Sequence, residues 1–143
     1  MTTIAWDGNT LAADKRAVNG TSHSTVTKIR KIKGELCGGG GQFSSVLEMF
    51  EWINKGKKPE EFPKSQLDDD KWAPILVITK TNKILKYEQS PIPIEYEDGM
   101  QAIGSGRDYA LAAMHLGKNA KEAIEVASKF DPHTGNGVDT LSF

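Results

Sequence analysis

The chain has 143 residues, a formal net charge of −1, 38% hydrophobic and 26% charged residues, which is the makeup of one globular domain, expected to span 1–143. The near-neutral balance argues against a nucleic-acid partner, and the lone cysteine, Cys37, excludes an internal disulfide and suits a reducing compartment. With no basic start and no apolar run near the roughly 18 residues of a membrane span, the expectation is a cytoplasmic protein with no membrane partner.

Residues 3–7 and 10–14 read as strands joined at Asp7-Gly8-Asn9, where Gly and Asn tolerate the positive φ of a tight hairpin. The run Leu11-Ala12-Ala13 predicts that the second strand is buried. Residues 18–27 are polar and read as a loop turning at Asn19-Gly20. From 26 to 32, apolar Val26, Ile29 and Ile32 are interleaved with Lys28 and Arg30, which suits a strand with one wet face. Gly34 turns the chain, and Leu36-Cys37 leads into the glycines 38–41. Phe43, Val46, Leu47, Phe50 and Ile53 recur at helical spacing, so a helix over 42–54 follows, stopped by Gly56.

Residues 57–72 carry Pro59, Pro63 and Asp68-Asp69-Asp70 and read as a solvated loop without chemistry. Consecutive acidic residues are not spread in space as metal ligands must be. Strands at 75–79 and 83–87 flank a turn at Thr81-Asn82. After a break at 90–93, a short strand at 100–103 ends in Gly104-Ser105-Gly106. Two helices follow. The first covers 109–116; the second begins after Asn119, which with Glu122 forms a capping box, and ends at Asp131-Pro132. A last strand covers 137–143. The order predicts antiparallel sheets packed between helical layers, with neither an internal repeat nor a second domain.

Three glycine motifs invite a nucleotide reading and fail it. Glycines 38–41 are not followed by the Lys-Ser/Thr that grips phosphate. Gly104-Ser105-Gly106-Arg107-Asp108-Tyr109 has Tyr109 where a dinucleotide fingerprint needs its third glycine. Gly135-Asn136-Gly137 is a turn. His23, His115 and His133 lack ligand spacing, so no metal site is expected from them. Cys37 has no CxxC partner and reads as a small buried hydrophobe.

The N-terminus carries the sharper chemistry. A threonine hydroxyl is a poor nucleophile until a base activates it. If Met1 is removed, Thr2 gains an α-amine whose ordinary pKa is about 7.7–8.0. A fixed cation nearby lowers that pKa and leaves the amine able to take a proton near neutral pH. Such a site needs a lysine, a carboxylate to orient it and backbone N–H groups for an oxyanion. Lys28, Asp14 and the glycine turn are the candidates. Taken singly, each has a plain structural reading.

Together they resemble one pattern. Thr2-Thr3-Ile4 is similar to the start of mature HslV and proteasome β subunits. Leu11-Ala12-Ala13-Asp14-Lys15-Arg16 resembles that family's Asp-x-Arg strand, and Val26-Thr27-Lys28-Ile29 its lysine strand. Leu36-Cys37-Gly38-Gly39-Gly40 resembles its glycine turn, and Ala102-Ile103-Gly104-Ser105-Gly106 its Gly-Ser-Gly segment. Asp131 through Thr134-Gly135 resembles its Asp-x-x-Ser/Thr-Gly segment.

The resemblance implies an α+β fold, a four-layer αββα sandwich of the N-terminal-nucleophile hydrolase type. It implies a threonine peptidase with Thr2 as nucleophile and Asp14 positioning Lys28, which lowers the amine pKa. Ser105 holds the amine, supported by Asp131 and Thr134. It draws the oxyanion donor from Gly38, Gly39 or Gly40, with Gly39 preferred, and puts Cys37 near the wall of a substrate side-chain pocket. Implied partners are identical subunits in rings, roughly six or seven per ring, a peptide or unfolded-protein substrate and an ATP-driven unfoldase. No cofactor is required, and a sodium ion near residues 131–134 accompanies some HslV-type sites. The chain is shorter than typical members, and its 57–72 loop has no counterpart among them. A non-catalytic assembly subunit of the same fold is the alternative. A small-molecule amidase also fits the residues, without specific support.

Overall fold

The computed structural model describes residues 2–143. Eleven strands and three α-helices form an α+β chain in the order β1 (Thr3–Trp6), β2 (Leu11–Asp14), β3 (Arg16–Asn19), β4 (Ser22–Thr25), β5 (Ile29–Ile32), β6 (Glu35–Gly39), α1 (Phe43–Asn54), β7 (Ile75–Ile78), β8 (Ile84–Tyr87), β9 (Ile94–Tyr96), β10 (Gln101–Gly104), α2 (Arg107–His115), α3 (Ala120–Phe130) and β11 (Val138–Leu141). One antiparallel sheet runs β10-β1-β2-β11 and another runs β5-β6-β7-β8-β9.

Strand alternation explains how these parts pack. Successive side chains of a strand point to opposite faces. In β1, β2 and β10 the larger residues Ile4, Trp6, Leu11 and Ile103 join Ile29, Leu36, Leu76 and Ile78 of the other sheet in one buried cluster. The intervening Ala5, Ala12 and Ala102 face α2 and α3, where Ala110, Ala113, Ala120, Ala123 and Ile124 meet them. Alanine on both sides lets helix and sheet approach closely. The outer face of the five-stranded sheet supplies Cys37, Ile75 and Val77 to a third cluster with Val46, Met49, Phe50 and Ile53 of α1.

Several expectations need correcting. The polar 18–27 segment contains strand rather than loop: β3 and β4 pair as an antiparallel hairpin, Arg16 opposite Thr25 and Asn19 opposite Ser22. Its residues are mostly exposed, so no apolar alternation marks it. Lys28 precedes the lysine strand, which starts at Ile29. Gly38 and Gly39 are the end of strand β6, not a turn. The 57–72 segment is an ordered wall with 3-10 turns at Pro59–Glu61 and Lys64–Leu67. It is pinned by Gln66, which is fully buried. The Gln66 Nε2 donates to the Ala73 and Glu88 carbonyls at 2.8 and 2.9 Å, and its Oε1 accepts from the Ala73 amide at 2.7 Å.

Helix α3 follows its sequence signals closely. Asn119 Oδ1 accepts from the Glu122 amide and Glu122 Oε1 from the Asn119 amide, at 2.9 and 3.1 Å. The following Pro132 disfavours helical backbone at Asp131, which adopts φ −94 and ψ 114. The helix therefore ends there and leaves the Asp131 carboxylate where α3 meets β1 and β10.

Candidate functional site

Thr2 stands immediately before β1, and its position follows from register. Thr3 pairs with Gly104 at the end of β10, so Ser105, the next residue, lies beside Thr2. Gly104 has φ +99, and a Cβ there would sit 2.0 Å from the Thr2 carbonyl oxygen. Glycine is what permits this approach. On the other side of β1, Ile4 pairs with Ala13, which brings Asp14 alongside Thr3.

Asp14 is fully buried and accepts four hydrogen bonds. Its Oδ1 takes Lys28 Nζ at 2.9 Å and the Thr3 amide at 3.0 Å. Its Oδ2 takes the Arg16 and Gly135 amides, both at 3.1 Å. Four donors around one carboxylate compensate its removal from water. Lys28, 2% exposed, donates from the same Nζ to Thr2 Oγ1 at 2.9 Å. Burial lowers the Lys28 pKa from its ordinary value, while the charge and hydrogen bond of Asp14 oppose that shift without cancelling it.

A second polar chain lies on the nitrogen side of Thr2. The Thr2 nitrogen donates to Ser105 Oγ at 3.2 Å, and Ser105 Oγ donates to Asp131 Oδ2 at 2.6 Å. Thr134 Oγ1 donates to the same oxygen at 2.6 Å, and Thr3 Oγ1 lies 2.7 Å from Thr134 Oγ1. The His133 amide reaches Asp131 Oδ1 at 3.1 Å. Burial pushes the Asp131 carboxyl up, but the bonds from Ser105, Thr134 and the His133 amide together outweigh it and hold the group below its ordinary value. Asp131 Oδ2 thus accepts two protein donors and Oδ1 one. Among the described residues no group of three or more His, Cys, Asp or Glu side chains converges as metal ligands would.

The geometry thus brings Thr2, Asp14, Lys28, Ser105, Asp131 and Thr134 together. It treats the other expected residues differently. The Gly39 amide bonds to the Lys28 carbonyl at 3.2 Å, and a Cβ on Gly39 would point at Ile75 and Val46, away from Thr2. Gly38 faces Ile29 and Ile4. Gly40 is the glycine against the threonine: a Cβ there would sit 2.6 Å from the Thr2 Cβ. Gly40 therefore lies nearest the threonine, while its amide, like that of Gly39, bonds within the protein, to the Pro74 carbonyl at 3.3 Å. Cys37 is buried under α1 among Ile32, Val46 and Phe50, and it does not line the cleft. Burial pushes its thiol pKa up to about 12, so it stays a protonated, inert core group.

Thr2 opens into a cleft of about 610 Å³. One wall is Arg16, Ala17, Val18 and Asn19 of β3, a strand hydrogen-bonded on one side only, to β4. Gly40, Gly41 and the start of α1 also line the cleft, as do Asp70 and Trp72. Sequence reasoning missed Thr3, whose amide and hydroxyl tie both polar chains to β1. It also missed the wall built by the 57–72 segment. No helix is long and apolar enough to cross a membrane.

Comparison with known proteins bears on the fold. No family model matches the chain, and no curated protein sequence does. Solved structures do. HslV from Trypanosoma brucei superposes with a TM-score of 0.73 at 21% identity, covering 98% of this chain and 97% of that one. Thiobacillus denitrificans BPH gives 0.70 at 19% identity, covering 99% and 96%. The same protein in complex with epoxomicin gives 0.73 at 14% identity, covering 99% and 97%. At these identities the likeness is one of fold, and the chain has the fold shared by HslV and BPH.

Proposed function

We propose that this chain is a threonine peptidase of the proteasome β-subunit and HslV type, with Thr2 as its nucleophile once Met1 is removed. The observation that carries the reading is Lys28 Nζ, held between Thr2 Oγ1 and Asp14 Oδ1 at 2.9 Å each. A buried lysine aimed at a threonine hydroxyl stabilises negative charge on that oxygen as it loses its proton. Met1 lies outside the described residues. With Met1 gone, the Thr2 nitrogen becomes an amine beside Ser105, and the Lys28 cation close by disfavours its protonation.

In this reading the amine takes the Oγ1 proton as Oγ1 attacks the scissile carbonyl carbon. The carbon–nitrogen bond then breaks, the leaving amine takes that proton, and an ester to Thr2 remains. Water hydrolyses the ester with the same amine as base and restores Thr2. Ser105, fixed by Asp131 and Thr134, orients the amine throughout. The oxyanion donor in this reading comes from the glycine segment, where Gly40 and Gly41 line the cleft with Thr2. The three buried clusters, stacked helix–sheet, sheet–sheet and sheet–helices, support reading the architecture as a four-layer αββα sandwich. Assembly into rings of identical subunits, and feeding by an ATP-driven unfoldase, belong to the same proposal. So does a place in the cytoplasm.

The test uses the mature chain with Met1 removed. Hydrolysis of a fluorogenic peptide falls to background in Thr2→Ala and survives at a reduced rate in Thr2→Ser. Epoxomicin, the compound bound in the BPH structure, adds its mass to the wild-type chain and not to Thr2→Ala. A Thr2→Ala chain as active as wild type would sink the assignment and leave the assembly-subunit alternative. Because Thr2 is only 2% exposed and its hydroxyl bonds Lys28, the same variant loses about 1 kcal/mol of stability.

A further inference from the structure

We propose that Asp70 makes the cleft selective for peptides carrying a basic side chain, and this rests on the peptidase reading above. Asp70 is the one carboxylate lining the cleft among the described residues. It shares that lining with Trp72, Gln42, Ser44 and Thr2. The two cations that share the cleft are both engaged. Lys28 is bound to Asp14, and Arg16 is folded against the 132–136 turn, its Nε donating to Asn136 Oδ1 at 3.0 Å and its Nη1 to the Pro132 carbonyl at 2.8 Å. Arg16 keeps its charge, but its guanidinium is held at the 132–136 turn, so Asp70 is the anion that the cleft offers an incoming side chain.

Selectivity also requires that the acid be held in place, and the segment carrying it is fixed on both flanks. Asp68 Oδ1 accepts the Asp70 amide at 2.9 Å, and the Asp68 carbonyl accepts the Lys71 and Trp72 amides at 3.1 and 3.0 Å. Ser45 of α1 donates to the Lys71 carbonyl at 2.6 Å, and buried Gln66 clamps Ala73. A basic residue of the bound peptide would lay its methylene stem on the Trp72 ring and its charge on the Asp70 carboxylate. Trp72 packing and the Asp70 charge act on the same group, which suits lysine or arginine better than a purely apolar chain.

The experiment compares two peptides that differ only in lysine against norleucine, which removes the charge and keeps the stem. Wild type should hydrolyse the lysine peptide with a kcat/KM roughly fivefold higher, the size expected of one partly exposed ion pair. Asp70→Asn should bring the ratio close to one, and raised salt should narrow it in wild type alone. A second measurement separates this idea from the peptidase reading: binding of both peptides to Thr2→Ala, followed by tryptophan fluorescence. Lysine-selective binding that is lost in Thr2→Ala/Asp70→Asn, with no hydrolysis by wild type, would sink the peptidase reading and keep the role of Asp70. Equal binding of the two peptides, or a preference that Asp70→Asn leaves unchanged, would overturn the proposal.

Discussion

Replacing Asp14 by Asn changes one atom and disturbs four hydrogen bonds. Each carboxylate oxygen accepts two donors: Lys28 Nζ and the Thr3 amide on Oδ1, the Arg16 and Gly135 amides on Oδ2. The amide side chain has one acceptor and one NH2 group. Turned one way, it keeps Lys28 and Thr3 and sets its NH2 against two backbone donors. Turned the other way, it sets NH2 against the Lys28 ammonium. Neither orientation works, and both leave the Lys28 cation buried without its counter-charge. Breaking a buried ion pair by removing one partner costs about 3–5 kcal/mol. For a domain of this size that lowers Tm by roughly 10–15 °C.

Adding Lys28→Met in the same chain removes the stranded cation. The double variant should therefore be more stable than the sum of the two single changes by at least about 2 kcal/mol. Urea melts of the four chains at one protein concentration measure this. The pH dependence gives an independent check. Without the Asp14 charge, the folded-state pKa of Lys28 drops further below the ordinary 10.5. The penalty for the charged form is complete below that folded value and is relieved as pH rises toward 10.5. Asp14→Asn should therefore regain stability relative to wild type on the alkaline side. An Asp14→Asn chain that melts within about 3 °C of wild type, or a double variant that is simply additive, would refute the argument.

Two further changes probe the rest of the site. Gly104→Ala combines a φ of +99 with a Cβ 2.0 Å from the Thr2 carbonyl, so it should destabilise the fold by about 1–3 kcal/mol and cut hydrolysis far more than it lowers Tm. Equal losses of stability and activity would mean that Thr2 is not displaced. Asp131→Asn should be less stable than wild type near neutral pH. The folded-state pKa of Asp131 lies below 3.8, so its contribution is present above 3.8 and fades as the pH falls through the folded value. Acid melts of the two chains should converge there, and a gap that persists unchanged at low pH would refute it.

Much of the fold was legible because its core obeys simple periods. Phe43, Val46, Phe50 and Ile53 mark α1, and the Asn119–Glu122 box with Asp131-Pro132 marks both ends of α3. The site residues were legible through side-chain chemistry and the family resemblance together. What escaped has physical causes. The β3–β4 hairpin and β9 are largely exposed, so neither face demands apolar residues. Gly40 could not be told from Gly39 by sequence, because which glycine packs against Thr2 is decided by the fold. The ordered 57–72 segment carries one fully buried side chain, Gln66, and its other ties, such as Ser45 to the Lys71 carbonyl, reach its backbone, which sequence does not reveal. Thr3 looked like an ordinary strand residue because its hydroxyl partner, Thr134, is 131 positions away.

On the peptidase reading, that distance bears on when the chain becomes reactive. The bonds that assemble Thr2 join residue 2 to 105, 3 to 134 and 14 to 135. Asp14 receives its last donor from Gly135, close to the end of the chain. A partly synthesised chain, or one whose final segment has not yet docked, holds the threonine and the lysine but cannot hold them in register. Long-range closure of this kind comes late in folding. On the peptidase reading, reactivity therefore waits on the finished fold as well as on removal of Met1.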